Sequence, residues 1–290
     1  MARGPFRPSS SPLVSARWLL EHAADPDVRV LDARWYLGGK SGAAEFANGH
    51  IPGAAFADLD RDLSAPKGTG PGRHPLPSAG AFAAALARLG IGATTRVIAY
   101  DDAGGSIAAR VWWLFRHFGL PAAAVLDGGL AAWTAAGGAL SKETPAIVPA
   151  PSMRLVARTD DVVDKRAVDR LRSQGDALVI DARATERFEG KSEPIDARPG
   201  HVPGARSLPW PGNLATPGGP FAEPRALAER YEKAGAARAK SIVCYCGSGV
   251  TACHDLIALA LAGRPDALLY EGSWSDWAAD ASLPAALGSD

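Results

Sequence analysis

The sequence contains few cysteines and carries no net charge. Cys244, Cys246 and Cys253 are the only cysteines among 290 residues, and they lie within ten positions of one another. So few clustered cysteines cannot form the disulfide framework of a secreted protein, and we expect a reducing compartment, the cytoplasm. The 31 Lys and Arg residues balance 31 Asp and Glu residues. A neutral chain has no overall field that recruits nucleic acid or an anionic membrane, so we expect neither as a partner.

Long apolar runs are also missing. No uncharged apolar stretch approaches the roughly 20 residues that span a bilayer, so we predict no transmembrane helix. Residues 1–12 are rich in Arg, Pro and Ser and lack the apolar core of a secretory signal, so we interpret them as a flexible arm. The remaining composition is that of a globular protein, with 47% apolar and 21% charged residues, and the length favours two domains.

The most informative feature of the sequence is an internal repeat. Four landmarks recur in the same order in the two halves: Val30–Arg34 with Val179–Arg183, Gly49–Ala54 with Gly200–Ala205, Val97–Asp101 with Ile242–Cys246, and Leu126–Trp133 with Tyr270–Trp277. Such a repeat indicates two copies of one domain. We place the copies at residues 13–139 and 161–290, with a proline-containing linker at residues 140–160 between them.

Each copy alternates short apolar runs with amphipathic stretches, which is typical of an α/β fold with a mostly parallel sheet flanked by helices. The predicted strands lie near residues 28–33, 96–100, 122–126, 177–181, 241–245 and 267–270. The predicted helices include an apolar stripe from 82 to 89, a second from 107 to 118, and the segments 161–173, 224–234 and 251–262. The two copies are therefore expected to share one topology.

The segment around Cys246 carries the chemistry. An apolar strand ends at Cys246, a loop of small residues follows, and a helix begins near Thr251. Ligands of parallel α/β sheets bind at the carboxyl ends of strands, and a helix N-terminus offers unpaired N–H groups that stabilise an anion. A thiolate at this position is a nucleophile at neutral pH. Cys246 is therefore the predicted nucleophile.

The cysteines allow three other interpretations. Cys244 and Cys253 are explained as small core residues, because free cysteine is commonly buried. Zinc binding by the three cysteines and His254 fits less well, because structural zinc sites use C-x(2–4)-C pairs rather than C-x-C. A cysteine phosphatase needs an arginine six residues after the nucleophile to bind phosphate, and this position is Ala252.

Together, the Asp-Ala-Arg motif, the His-Ile/Val-Pro-Gly-Ala motif and the loop from Cys246 to Thr251 give the chain a clear resemblance. It resembles the two-domain sulfurtransferases of the rhodanese family, and most of all the group that uses 3-mercaptopyruvate. The resemblance implies two rhodanese-like domains, of which only the second carries the catalytic cysteine. Asp101 stands at the equivalent position of the first copy.

The family resemblance implies ping-pong sulfur transfer. The Cys246 thiolate takes sulfane sulfur from a small-molecule donor, becomes a persulfide and passes the sulfur to an acceptor. The expected acceptors are thioredoxin or another protein thiol, a small thiol, or cyanide. We expect no metal and no cofactor beyond the persulfide, because backbone dipoles stabilise its anion. The N–H groups expected to form this cradle belong to Gly247, Ser248, Gly249, Val250 and Thr251.

The resemblance also points to the donor. Family members that use thiosulfate tend to place Arg and Lys directly after the cysteine, whereas this chain has Gly247-Ser248-Gly249. 3-Mercaptopyruvate is therefore the expected donor and thiosulfate the alternative. An alternative of another class is a non-catalytic module that keeps the fold for partner binding or sulfur sensing, which the presence of Cys246 disfavours.

Further site residues follow from the mercaptopyruvate group. A Ser–His–Asp relay that assists proton transfer there matches Ser248, His74 and Asp60. Two arginines hold the substrate carboxylate in that group, and Arg187 matches the first. Ile195 stands where the family often has the second arginine, and the nearest substitute in the sequence is Arg198.

Overall fold

The computed structural model describes residues 11–120 and 123–289. Most of the predicted N-terminal arm, residues 1–10, lies outside this range. The described chain forms two five-stranded sheets with the strand orders β1-β5-β4-β2-β3 and β6-β10-β9-β7-β8, defined below. All of these strand pairs are parallel, and the two orders are identical after renumbering. The predicted tandem of two α/β domains with parallel sheets and flanking helices is confirmed.

The described part of the first copy contains five strands and five helices. They are β1 (Leu13–Val14), α1 (Ala16–His22), β2 (Val28–Asp32), α2 (Gly42–Asn48), β3 (Ala55–Phe56), α3 (Ala79–Arg88), β4 (Arg96–Tyr100), α4 (Ala108–His117), β5 (Ala123–Leu126) and α5 (Gly129–Ala135).

The second copy repeats this order and adds one 3₁₀-helix. Its elements are β6 (Val162–Val163), α6 (Lys165–Gln174), β7 (Ala177–Asp181), α7 (Thr185–Phe188), β8 (Arg206–Ser207), the 3₁₀-helix Trp210–Asn213, α8 (Pro224–Lys233), β9 (Ser241–Tyr245), α9 (Ala252–Leu261), β10 (Leu268–Tyr270) and α10 (Ser273–Trp277).

The sequence patterns did not predict the short edge strands or the helices α1, α2, α5, α7 and α10. The predicted helix 161–173 starts only at Lys165, because Val162 and Val163 pair with the end of β10. Asp164 then caps the helix, with its side chain accepting a hydrogen bond from the N–H of Ala167. A two-residue strand contains no periodicity, so only tertiary pairing reveals it.

The two copies pack against each other through α4 and α9. One hydrophobic core runs continuously through both copies and includes Leu114 of α4 and Leu256 of α9. Arg110 of α4 is fully buried at this interface. Its Nη1 donates to the carbonyl of Gly249 at 2.9 Å, and its Nη2 donates to the carbonyl of His74 at 3.1 Å. Arg110 therefore ties together two loops that flank the cleft between the copies.

The helices are short. The longest helices that the structure describes have ten residues, and none of the described helices is long and apolar enough to cross a membrane.

Candidate active site

Cys246 lies at the carboxyl end of β9, directly before the loop that leads into α9. Its side chain is 2% exposed and lines a cavity of about 360 Å³ between the two copies. The backbone N–H of Cys246 donates to Oγ of Ser273 at 3.0 Å. Ser273 is the only non-glycine residue with a positive φ, 53°, in the part of the chain that the structure describes. Strained backbone of this kind is retained where the surrounding structure fixes a functional loop.

The loop after Cys246 presents a row of unpaired donors. In the described structure, none of the five backbone N–H groups from Gly247 to Thr251 donates a hydrogen bond to another protein group. Gly249 permits this turn because its φ is +76° and a Cβ there would lie 2.4 Å from the carbonyl oxygen of Glu271. Consecutive free N–H groups at a helix start form a site for an anion.

The first copy shows how such a loop treats a negatively charged group. Asp101 occupies the position equivalent to Cys246 and is buried. Its Oδ1 accepts from the N–H groups of Ala103 and Gly105, and its Oδ2 accepts from those of Ile107 and Ala108, all at 2.8–2.9 Å. The first copy thus fills its cradle with its own carboxylate, whereas the second copy leaves the donors free around a cysteine.

His74 and Ser248 meet across the cleft. Nδ1 of His74 lies 2.7 Å from Oγ of Ser248, and Nε2 of His74 lies 3.3 Å from Oδ1 of Asp60. Asp60 is 67% exposed, and its Oδ2 accepts from Nε1 of Trp35 at 3.1 Å. The Trp35 ring also packs edge-on against the His74 ring. The structure therefore brings together the three residues predicted to form a relay, and Trp35 supports two of them.

Burial lowers the pKa of His74 to about 4. The Asp60 carboxylate opposes this change in pKa, but the nearby Arg110 and Arg73 guanidinium groups reinforce it. His74 is therefore uncharged at neutral pH. Because Asp60 is an acceptor, the ring proton lies on Nε2, and Nδ1 accepts the hydroxyl proton of Ser248.

Arg187 lies at the cavity with two acidic partners. Its Nη2 donates to Oε1 of Glu193 at 2.7 Å and to Oδ2 of Asp196 at 2.9 Å, and its Nε donates to Glu193 at 3.2 Å. Burial is the largest single influence and acts to raise the pKa of Glu193, but the Arg187 hydrogen bonds and charge, together with the backbone N–H groups of Asp196 and Ile195, leave this pKa lowered. The Arg187 guanidinium is thus held by two carboxylates, and its Nη1 is left without a protein partner among the described residues.

Arg183 also borders the cavity, and most of its contacts recur in the first copy. It forms a bidentate pair with Asp181 and donates to the carbonyl of Gly200. Arg34 of the first copy makes the same contacts with Asp32 and Gly49. The contacts shared by both copies hold the fold together. Nη1 of Arg183 also donates to Oε2 of Glu193 at 3.2 Å, a contact that Arg34 does not share among the described residues, and it thereby helps to fix the carboxylate that holds Arg187.

The structure does not bring Arg198 to the cleft, contrary to the expectation that it is the second carboxylate ligand. Its Nη2 donates to the carbonyls of Trp277, Asp280 and Leu283, which fixes the segment after α10. Arg198 therefore does not line the cavity. Arg73 of the first copy lines it instead, next to Arg187.

Both copies of the domain match a known protein family. Residues 15–136 and 164–280 both match the family model described as the rhodanese-like domain. The chain belongs to the rhodanese family. The family predicted from the sequence motifs is thereby confirmed.

Three proteins that are similar to this rhodanese over nearly its full length have names that describe sulfur transfer. A probable 3-mercaptopyruvate sulfurtransferase of Pseudomonas aeruginosa is 43% identical over 289 residues, covering 97% of this chain and 99% of that protein. A putative thiosulfate sulfurtransferase of Mycobacterium tuberculosis is 38% identical, covering 92% of this chain and 93% of that protein. The crystal structure of SseA, a 3-mercaptopyruvate sulfotransferase of Escherichia coli, matches with a TM-score of 0.81 at 35% identity, covering 92% of this chain and 100% of that one.

The other two cysteines of this rhodanese lie in the core. Cys244 and Cys253 are fully buried, and burial raises the pKa of Cys253 to about 12 and that of Cys244 well above its usual range. Both thiols therefore remain protonated at neutral pH. Among the described residues, no group of three or more His, Cys, Asp or Glu side chains is arranged to hold a metal ion.

Sequence reasoning missed three residues that shape the cleft: Arg73, Arg110 and Trp35. Arg110 could have been found, because it is the single charged residue in the otherwise apolar run from 107 to 115. Arg73 and Trp35 adjoin recognised motifs, since Arg73 precedes His74 and Trp35 follows the Asp-Ala-Arg motif. Nothing in the local sequence indicates that either side chain faces the other copy.

Proposed function

We propose that this protein is a sulfurtransferase that transfers sulfur from 3-mercaptopyruvate through a persulfide on Cys246. The observation that carries the proposal is the juxtaposition of Cys246, set in a loop of free N–H groups, with a relay that joins Ser248 of this loop to His74 and Asp60 of the opposite copy. The similarity to 3-mercaptopyruvate sulfurtransferases over nearly the full chain supports it.

The sulfur-loading step requires a proton to move. The Cys246 thiolate attacks the sulfur of 3-mercaptopyruvate, an S–S bond forms, and the C–S bond breaks with its electron pair moving to carbon. The leaving group is the enolate of pyruvate, which becomes pyruvate on protonation at carbon. The substrate thiol supplies this proton. Ser248 relays this proton: Oγ accepts the thiol proton while the hydroxyl proton of Ser248 passes to Nδ1 of the uncharged His74. In the reverse direction, Ser248 donates a proton to the enolate carbon and recovers one from His74.

The persulfide anion occupies the loop from Gly247 to Thr251 and is stabilised by the free N–H groups there. A nucleophilic acceptor then attacks the outer sulfur, and the electron pair of the S–S bond returns to Cys246 as thiolate. Cyanide would give thiocyanate, and a thiol would give its persulfide. We propose a protein thiol such as thioredoxin or a small thiol as the acceptor, in the reducing cytoplasm, with no cofactor beyond the persulfide.

Thiosulfate is the second candidate donor, and one observation favours it. The loop itself contains no cation, as the sequence shows, but a Cβ on Gly247 would lie 2.9 Å from Nη2 of Arg73 and 3.4 Å from Nη1 of Arg187. Two guanidinium groups therefore stand beside the cysteine and would attract a dianion. A related protein is named as a putative thiosulfate sulfurtransferase.

Side-by-side kinetics decide between the donors. We expect a higher kcat/KM for 3-mercaptopyruvate, measured as pyruvate release, than for thiosulfate, measured as thiocyanate release with cyanide. The physical reason is that the relay speeds only a reaction in which an enolate must be protonated, which applies to 3-mercaptopyruvate and not to thiosulfate. A preference for thiosulfate would reverse the donor assignment, and absence of turnover with both donors would favour a binding module.

Removing the Arg187 guanidinium should weaken the binding of the substrate carboxylate. A charge-assisted hydrogen bond contributes about 1.5–3 kcal/mol, so we expect Arg187→Ala to raise the KM for 3-mercaptopyruvate by about 10-fold or more. Arg198→Ala is the matched control, since its guanidinium contacts carbonyls outside the cavity. Its KM should stay near the wild-type value while its thermal unfolding midpoint falls. Equal KM values in wild type and Arg187→Ala would contradict the assignment.

A further inference from the structure

The cleft contains two guanidinium nitrogens that have no hydrogen-bond partner within residues 11–120 and 123–289. Nη2 of Arg73 and Nη1 of Arg187 donate no hydrogen bond to any described residue. These are the two nitrogens nearest to the position that a Cβ on Gly247 would occupy, at 2.9 and 3.4 Å. Free donors from two arginines thus converge on the residue that follows Cys246.

Asp196 fixes the two arginines relative to each other. Its Oδ1 accepts from Nη1 of Arg73, and its Oδ2 accepts from Nη2 of Arg187. The Asp196 carboxylate is 4% exposed, whereas the arginine side chains are 21% and 17% exposed. The bridging carboxylate therefore lies behind the guanidinium groups, and their free nitrogens remain accessible from the cavity.

The segment that carries Arg73 is docked on the second copy. The N–H of Arg73 donates to Oγ of Ser275 at 3.1 Å, and the N–H of Leu76 donates to Oε2 of Glu271 at 3.1 Å. Gly72, the residue before Arg73, has a φ of +71°. A Cβ at this position would lie 2.4 Å from the carbonyl oxygen of Gly272, so only glycine allows the two backbones to approach this closely. A side chain anchored by its backbone on both sides has a defined direction, so Arg73 is preorganised rather than a solvated surface charge.

We propose that Arg73 is the second carboxylate-binding residue of this enzyme, so that the substrate carboxylate is held between one arginine from each copy. This proposal rests on the proposed function and adds a binding residue to it. The second copy provides Arg187 but has Ile195 and the engaged Arg198 where another arginine was expected. The first copy supplies the missing cation from the residue next to His74.

The arrangement gives a reason for the glycine after the nucleophile. Any Cβ at residue 247 would approach Arg73 within 2.9 Å, so a side chain there would displace the guanidinium. A carboxylate that takes one hydrogen bond from each arginine lies directly over this glycine. The keto group and the sulfur-bearing carbon of an α-keto acid then extend towards Cys246, which is the adjacent residue.

Steady-state kinetics of Arg73 variants test the proposal. We expect Arg73→Gln and Arg73→Ala to raise the KM for 3-mercaptopyruvate by about tenfold or more. The kcat should change by less than about threefold, because the lost contact binds the substrate and the transition state equally. Arg73→Lys should be intermediate, since an ammonium group keeps the charge but loses the planar fork. Lys67→Ala removes one exposed positive charge from the same loop and should keep the wild-type KM.

A structural role for Arg73 predicts a different pattern. If the residue served only as an ion-pair partner between the copies, Arg73→Lys, which keeps a cation beside Asp196, would have the wild-type KM. We expect the KM of Arg73→Lys to rise by at least about threefold, because an ammonium group lacks the planar fork that bonds Asp196 and the substrate carboxylate together. A wild-type KM for Arg73→Lys, or a KM for Arg73→Gln within twofold of wild type, would overturn the proposal.

The same assay separates this inference from the proposed function. Wild-type enzyme that releases pyruvate while Arg73 variants keep a normal KM removes only the role of Arg73. Wild-type enzyme that releases no pyruvate contradicts the donor assignment and, with it, the carboxylate clamp. Thermal unfolding of each variant shows whether an altered KM comes from a folded protein.

Discussion

Cys246→Ser should lose sulfur uptake and turnover completely, with either donor and any acceptor. A serine hydroxyl cannot form a persulfide, and no other thiol in the described structure reaches the cavity, because Cys244 and Cys253 are fully buried. Intact-protein mass spectrometry after exposure to donor measures the result directly. Wild-type protein should gain the mass of one sulfur atom, and the variant should gain none.

The two buried cysteines provide matched controls for this substitution. Burial raises the pKa of Cys253 to about 12 and keeps its thiol protonated, so Cys253→Ser should still load one sulfur. Cys244→Ser should do the same, although a buried hydroxyl in place of an apolar thiol lowers the free energy of unfolding. Sulfur loading in Cys246→Ser together with its loss in Cys253→Ser would refute the assignment of the nucleophile.

Much of the fold could be predicted from the sequence because the repeat is encoded locally. The central strands are buried apolar runs bounded by turn residues, and the predicted segments 96–100, 177–181 and 241–245 coincide with β4, β7 and β9. The edge strands β1, β3, β6 and β8 have two residues each, which is too short for a periodic pattern. Only pairing with a neighbouring strand defines them.

The candidate site likewise contains residues that the local sequence predicts and residues that only tertiary contacts reveal. Cys246 and its glycine-containing loop are contiguous in sequence, so local chemistry predicts them. His74 and Asp60 come from the other copy, and only the family resemblance predicted them as relay members. That resemblance did not identify Arg73, because the relevant contact is between residues 123 positions apart. Likewise, the sequence around Arg198 does not reveal that three carbonyls engage its guanidinium group.

Ser248→Ala should reduce kcat for 3-mercaptopyruvate by about 100-fold, because general acid–base catalysis contributes a factor of about 10²–10⁴. The substitution removes the hydroxyl that lies 2.7 Å from Nδ1 of His74 and leaves the backbone N–H of residue 248 in the cradle. Sulfur loading should therefore slow without loss of persulfide stability. Thiosulfate turnover should change much less, because its leaving group, sulfite, is already an anion and needs no proton. Similar losses with both donors would contradict a role for Ser248 in proton transfer.

The pH dependence of this effect tests the protonation state of His74. Because burial lowers its pKa to about 4, His74 stays uncharged as the pH falls from 7.5 to 5.5, and it loses its function only near pH 4. The ratio of the wild-type to the Ser248→Ala rate should therefore stay constant across that range, because any effect of pH that both proteins share cancels in the ratio. A histidine with the ordinary pKa of about 6.5 would be mostly protonated at pH 6, and the ratio would shrink by about fourfold. A decline of that size between pH 7.5 and 6 would show that His74 is more accessible to water than its contacts with Trp35 and Ser248 imply.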